Sequence, residues 1–118
     1  MALYKGDEGK FTFELTAPGF SMENNDFDVE IVGLKGGSIK GYKNPPAGSE
    51  DTDVIIYSET DRSGETPVTK WYVIFKTDKL TAGDLKVIGT AYVPDAYADD
   101  GIRTQTATAT YPDRLLTK

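Results

Sequence analysis

Carboxylates are the residues most able to do chemistry in this chain. Asp95, Asp99 and Asp100 cluster in the segment Asp95-Ala96-Tyr97-Ala98-Asp99-Asp100-Gly101. Three carboxylates so close together can hold calcium, a hard cation that takes six to eight oxygens. The spacing departs from the EF-hand loop, which carries further ligands and a closing glutamate. The competing reading is a solvated hairpin tip, because Asp100-Gly101 is a turn pair. Glu23-Asn24-Asn25-Asp26-Phe27-Asp28 offers further oxygens. Asp28 falls on the polar side of an alternating segment, where a charge is ordinary. Paired carboxylates can also hydrolyse glycosides, but only at a set separation across a cleft with one of them desolvated. Short loops on a small domain leave little room for that arrangement, and no catalytic residue is assigned.

Other chemistries are excluded by residue type. The 118 residues contain no cysteine and no histidine. Disulfides, thiolate metal sites and cysteine nucleophiles are therefore impossible, as are Ser-His-Asp triads and imidazole metal centres. No G-x-S-x-G, S-x-x-K or phosphate-loop pattern occurs. With 13 basic and 19 acidic side chains the net charge is −6. The lysines are scattered, so no basic footprint for nucleic acid exists. No apolar run reaches the roughly 18 residues of a membrane-spanning helix. Met1 to Lys10 lacks the apolar stretch of a signal peptide. The expectation is cytoplasmic synthesis, with assembly into a virion-like particle as one route out of the cell.

The elements that would position any site are strands. Apolar and polar residues alternate with period two, interrupted by Gly, Pro, Asn and Asp. Phe11, Phe13 and Leu15 share a face. Phe27, Val29 and Ile31 alternate with Asp28 and Glu30. Gly36-Gly37 marks a turn before a return strand over Ser38 to Lys43, and Asn44 to Thr52 reads as a surface connection. Val54 to Tyr57 is a short strand. Val68 to Thr77 is apolar on both sides, with Trp71, Val73 and Phe75 opposite Tyr72 and Ile74, which predicts a central strand. Leu85, Val87, Gly89, Ala91 and Val93 alternate with Lys86, Ile88, Thr90 and Tyr92. Ile102 to Thr110 is a threonine-rich strand of ambiguous face. Residues 111–118 read as a C-terminal tail that frays or crosses to a neighbour. The count of seven to eight short antiparallel strands in one domain, 1–118, predicts an all-β immunoglobulin-like sandwich with Trp71 in its core.

Seven tyrosines are many for this length. Tyr72 and Tyr92 point away from the predicted core, and so do Ile74 and Ile88. If their strands are neighbours, these four residues form one outward aromatic patch, the kind of surface that anchors a partner.

One longer pattern is more distinctive. Lys76-Thr77-Asp78-Lys79-Leu80-Thr81-Ala82-Gly83-Asp84-Leu85 leads into a long strand, then a polar hairpin, then Gly101-Ile102-Arg103-Thr104 and a closing strand. Lys5-Gly6-Asp7-Glu8-Gly9 opens the first alternating strand. This order resembles the immunoglobulin-like domain at the N-terminus of phage baseplate upper proteins, and it is similar to small prophage-encoded structural proteins. The connection from Lys43 to Val54 is longer than in that family. The resemblance implies a non-enzymatic module that packs against itself or neighbouring structural proteins, with no cofactor. The alternative expectation is a carbohydrate-binding or adhesin-like sandwich, stabilised by calcium and using surface aromatics for a glycan.

Overall fold

In a computed structural model, residues 3–43 and 53–117 are described. They form nine strands and no helix: β1 (Leu3–Tyr4), β2 (Glu8–Phe13), β3 (Phe27–Gly33), β4 (Ser38–Tyr42), β5 (Val54–Asp61), β6 (Val68–Lys76), β7 (Leu85–Pro94), β8 (Ile102–Thr110) and β9 (Leu115–Leu116). Two antiparallel sheets pack as a sandwich. One has the order β2-β6-β5 and the other β4-β3-β7-β8. A two-residue parallel pair, β1 with β9, brings the ends of the chain together.

The period-two pattern decides which residues enter the core. Along β7 every second residue from Leu85 to Val93 is buried. Phe27, Val29 and Ile31 do the same on β3, and Val73 and Phe75 on β6. These side chains meet between the sheets, with the Phe13 ring stacked on Phe27 at 5.8 Å. Close approach there needs a glycine on β7. A Cβ at Gly89 would lie 2.7 Å from the Phe13 ring. At the opposite edge the sheets close on each other, where Gly41 of β4 sits against Val54 of β5.

The all-β sandwich predicted from the alternation is the observed fold, and β6 is indeed the central strand of its sheet. The strand order has its own character. Lettering β2 to β8 as A to G gives sheets A-E-D and C-B-F-G. Constant-type immunoglobulin domains place B between A and E instead. The strand order therefore differs from the constant-type order, with β3 in the four-stranded sheet.

Several expectations are corrected. β5 runs on past Tyr57 to Asp61, because Ser58 to Asp61 pair with Val68 to Trp71 by backbone bonds that need no apolar side chain. The pair β1–β9 is parallel, and it makes the strand count nine rather than seven or eight. The sequence pattern has residues 111–118 fray or cross to a neighbour. Instead Leu115 is 1% exposed and pairs with Leu3. Tyr111 also packs its ring on Phe11 and Phe75. Trp71 is not the heart of the core. It lies half-buried at the rim, edge-on to Phe27 at 5.3 Å, with the Lys43 ammonium over its ring. The surface connection read over Asn44 to Thr52 lies outside the described residues.

The two sheets differ in width by one strand. β2 lies over β7, as the contact of Phe13 with Gly89 requires. Nothing among the described residues lies over β8. All of β8 except Arg103 is exposed, on both faces.

Candidate functional site

Tyr72 and Tyr92 do not share a surface. Tyr72 is on β6 and Tyr92 on β7, so they belong to different sheets. Each points outward from its own sheet, Ile74 beside Tyr72 and Ile88 on the same strand face as Tyr92. The condition for one joint patch, neighbouring strands, is not met. The molecule has two outward faces of different character instead.

On the three-stranded sheet, Tyr72 pairs across the strands with Tyr57, and Ile74 pairs with Ile55. The two tyrosine rings stack with centroids 5.4 Å apart and 24° between their planes. The Lys10 ammonium reaches over both from β2, 5.0 Å from the Tyr72 centroid and 5.4 Å from that of Tyr57. A hydrogen bond with the Tyr57 hydroxyl is the largest influence on the Lys10 pKa, which is held above the ordinary lysine value. Ile55 is 45% exposed. The result is a strip of two isoleucines and two stacked tyrosines, rimmed by Lys10, Lys70 and Glu59. An apolar, aromatic centre with a charged rim is the composition of a protein-contact surface. Tyr57 was missed as a member because strand neighbours cannot be read from alternation.

On the four-stranded sheet, the outward face is closed by a polar cluster. Asp28 of β3 points outward, as expected, yet it is only 1% exposed. Tyr92 from β7 donates its hydroxyl hydrogen to the Asp28 carboxylate. The Lys40 ammonium from β4 stands 3.6 Å from the same oxygen. Lys40 also lies 5.3 Å from the Tyr42 ring centroid. Burial, then the bond to Asp28, pushes the Tyr92 phenol up to about 12. Desolvation acts to lower the Lys40 pKa, but Asp28 and Tyr42 outweigh it and the net shift is upward. The reading of Asp28 as an ordinary surface charge is corrected: long neighbours on both flanking strands cover it. Tyr92 spends its polar tip inside the protein.

The acidic loops do not gather into a cation site. Asp95, Asp99 and Asp100 belong to the hairpin between β7 and β8, closed by backbone bonds from Asp95 to Gly101 and from Gly101 to Ala98. The Asp95 carboxylate accepts from the Tyr97 amide at 3.0 Å and from Arg103 at 3.4 Å. Asp99 and Asp100 are exposed. No group of three acidic side chains converges among the described residues. In the loop before β3, the cation is internal. Lys43 Nζ donates to the carbonyl oxygens of Met22, Glu23 and Asn25 at 2.7, 2.8 and 2.9 Å. Eighteen or more residues separate this lysine from the carbonyls it binds, so spacing gave no sign of it.

Compared with known proteins, the chain matches no protein-family model, no curated protein and no solved structure.

Proposed function

We propose that this protein is a non-enzymatic structural module that works through protein–protein contacts, as a subunit or domain of a phage-tail-like (baseplate) or other extracellular assembly. One observation carries the contact reading. The outward side of the central strand β6 presents Tyr72 and Ile74 beside Tyr57 and Ile55, where a solitary sandwich would carry polar residues. The phage-tail context rests on the order of segments from Lys76 to Thr104 described above. The partners are other structural proteins or further copies of the chain, without nucleic acid or membrane insertion.

The Ile88 and Tyr92 face is the weaker docking surface, because the Tyr92 hydroxyl is already bonded to Asp28. The glycan reading draws less support from the same tyrosines. A sugar stacking on Tyr72 or Tyr57 would first have to displace the Lys10 ammonium.

The test is binding of neighbouring structural proteins, measured by pull-down. Tyr72→Ala with Ile74→Ser should abolish the contact while the unfolding midpoint changes little. Association unchanged by that pair, and equally unchanged by Tyr92→Ala with Ile88→Ser, overturns the reading.

A further inference from the structure

The unequal width of the two sheets leaves a slot one strand wide. Its floor is the inner face of β8, where Ala107 and Ala109 are exposed, together with Gly89 of β7. Its wall is the free edge of β2 and the chain after it, from Thr12 to Leu15. The space measures about 480 Å³. Both ends are shut. At one, Tyr111 packs on Phe11 and donates its hydroxyl to the Lys10 carbonyl at 3.5 Å. At the other, Arg103 donates to the Pro18 carbonyl at 2.9 Å. Between them, Gln105 to Thr110 offers roughly 20 Å of strand length at about 3.4 Å per residue.

We propose that the slot is filled by β8 of a second copy of this chain, and that the reciprocal exchange builds a two-fold dimer. This rests on the assembly reading and names its first partner. Strand direction permits it. β2 ends at Phe13, which stacks on Phe27 at the start of β3, so β3 runs opposite to β2. β7 is antiparallel to β3, and β8 to β7, so β8 also runs opposite to β2. A two-fold axis parallel to the strands, running midway between the layers over the inner face of β8, preserves direction and exchanges the layers. It sets the partner's β8 antiparallel to β2, like every neighbour within the two sheets. Each layer then contains three strands of one copy and four of the other. Two open edges become two continuous sheets, and the two β8 inner faces pack on each other.

Side chains and charge agree with this occupant. Phe13 lies over Gly89, and Gly89 pairs with Ala107. The axis therefore brings Ala107 of the partner subunit level with Phe13. Small residues at 107 and 109 let two strands face each other without bulk between them. The copies each carry a net charge of −6, which opposes association in general. Yet β8 contains Arg103 and no carboxylate, and Glu14 is the slot's one acid. Contact along β8 avoids the repulsion that most of the surface would impose. Nor does β8 carry the usual protection of an edge strand. From Thr104 to Thr110 it has no charge, proline or bulge.

The test is the solution mass of the full chain by light scattering over a concentration series, with three variants. A mass of twice 12.9 kDa is expected, falling to 12.9 kDa on dilution. Ala107→Glu sets two carboxylates face to face across the axis and should weaken the dimer roughly a hundredfold or more. Ala109→Arg should do the same with the opposite charge. Both positions are exposed in the single copy, so circular dichroism should show an intact fold. Tyr72→Ala should leave the dimer unchanged. A chain monomeric at every concentration overturns the proposal, as does a dimer indifferent to Ala107→Glu and Ala109→Arg. A dimer broken by Tyr72→Ala alone overturns the slot and supports the tyrosine face. Loss of partner binding in Tyr72→Ala with the β8 dimer intact supports both, so the two readings fail separately.

Discussion

Replacing Tyr92 by phenylalanine isolates the interaction that holds the outer face of the four-stranded sheet. The phenyl ring keeps the packing and removes the one hydroxyl that donates to Asp28. Asp28 is buried, so its carboxylate cannot recover the lost bond from bulk water. Lys40 remains, but at 3.6 Å and with a side chain 42% exposed it adds little, of the order of 0–1 kcal/mol. A hydrogen bond to a charged group contributes about 1.5–3 kcal/mol. The expected loss is about 2 kcal/mol, which for a chain of 118 residues lowers Tm by roughly 8 °C. Urea unfolding followed by Trp71 fluorescence measures it, with an unchanged m value as the sign of a purely local effect. Asp28→Asn and the double variant complete a cycle. Their coupling should reach about 1–2 kcal/mol, because the charge-assisted bond exists only when both groups are present.

The same variant has a pH signature. The Tyr92 phenol rises from 10.0 to about 12 in the folded protein. The folded state therefore holds a proton that the unfolded state releases between those values. Its stabilising contribution is complete below pH 10 and is lost as pH rises through 12. Because part of the ring reaches solvent, the contribution is of the order of 1–2 kcal/mol. The wild-type protein should lose that much more stability than Tyr92→Phe over this interval. Tyr111 is also raised, by burial first and by Asp113 second, but it is common to both proteins and cancels. A loss under about 0.5 kcal/mol in Tyr92→Phe, with parallel alkaline profiles, would refute the buried bond.

Three further outcomes follow from the geometry. Gly89→Val should destabilise by about 1–3 kcal/mol, since even its Cβ would lie 2.7 Å from the Phe13 ring; equilibrium unfolding measures this. Lys43→Met strips three carbonyl oxygens of their donor and should cost about 1–3 kcal/mol, with faster proteolysis between Met22 and Asn25. Millimolar calcium should move Tm by less than about 1 °C, because no three carboxylates converge among the described residues; a rise of several degrees would restore the metal-dependent reading.

Alternation made the faces legible and left the neighbours hidden. The inward residues of β3, β6 and β7 could be named from period two alone. The bounds of β8 could be read as well, because threonine and alanine keep a strand pattern without a core. What period two cannot encode is which strands lie side by side. Hence Tyr72 and Tyr92 were assigned to one conditional patch, when Tyr72 belongs with Tyr57 and Tyr92 with Asp28. Burial of Asp28 was hidden for a related reason. Alternation names the side of the sheet, whereas Tyr92 and Lys40 decide whether water reaches it. The slot beside β2 is further still from the sequence, since it follows from three strands facing four.

The slot and the tyrosine face together give a reason for a sandwich of unequal sheets. A two-fold axis along the strands turns one copy over relative to the other. The three-stranded sheet of each copy then lies in a different layer, so the two Tyr57–Tyr72 faces point in opposite directions. Such a dimer is bivalent by symmetry. One face can hold a neighbouring protein while the other holds the next, and the second contact gains from the first by effective concentration. Among the described residues a single copy has one aromatic face of this kind, and the Asp28 cluster makes its other outer surface the weaker one. Breaking the β8 exchange with Ala107→Glu should therefore leave one-to-one binding at the tyrosine face and abolish bridging. Cross-linking of two partner molecules, scored against simple capture of one, separates these outcomes. Bridging that persists in a strictly monomeric variant would show that a surface other than Tyr57 and Tyr72 carries the second contact.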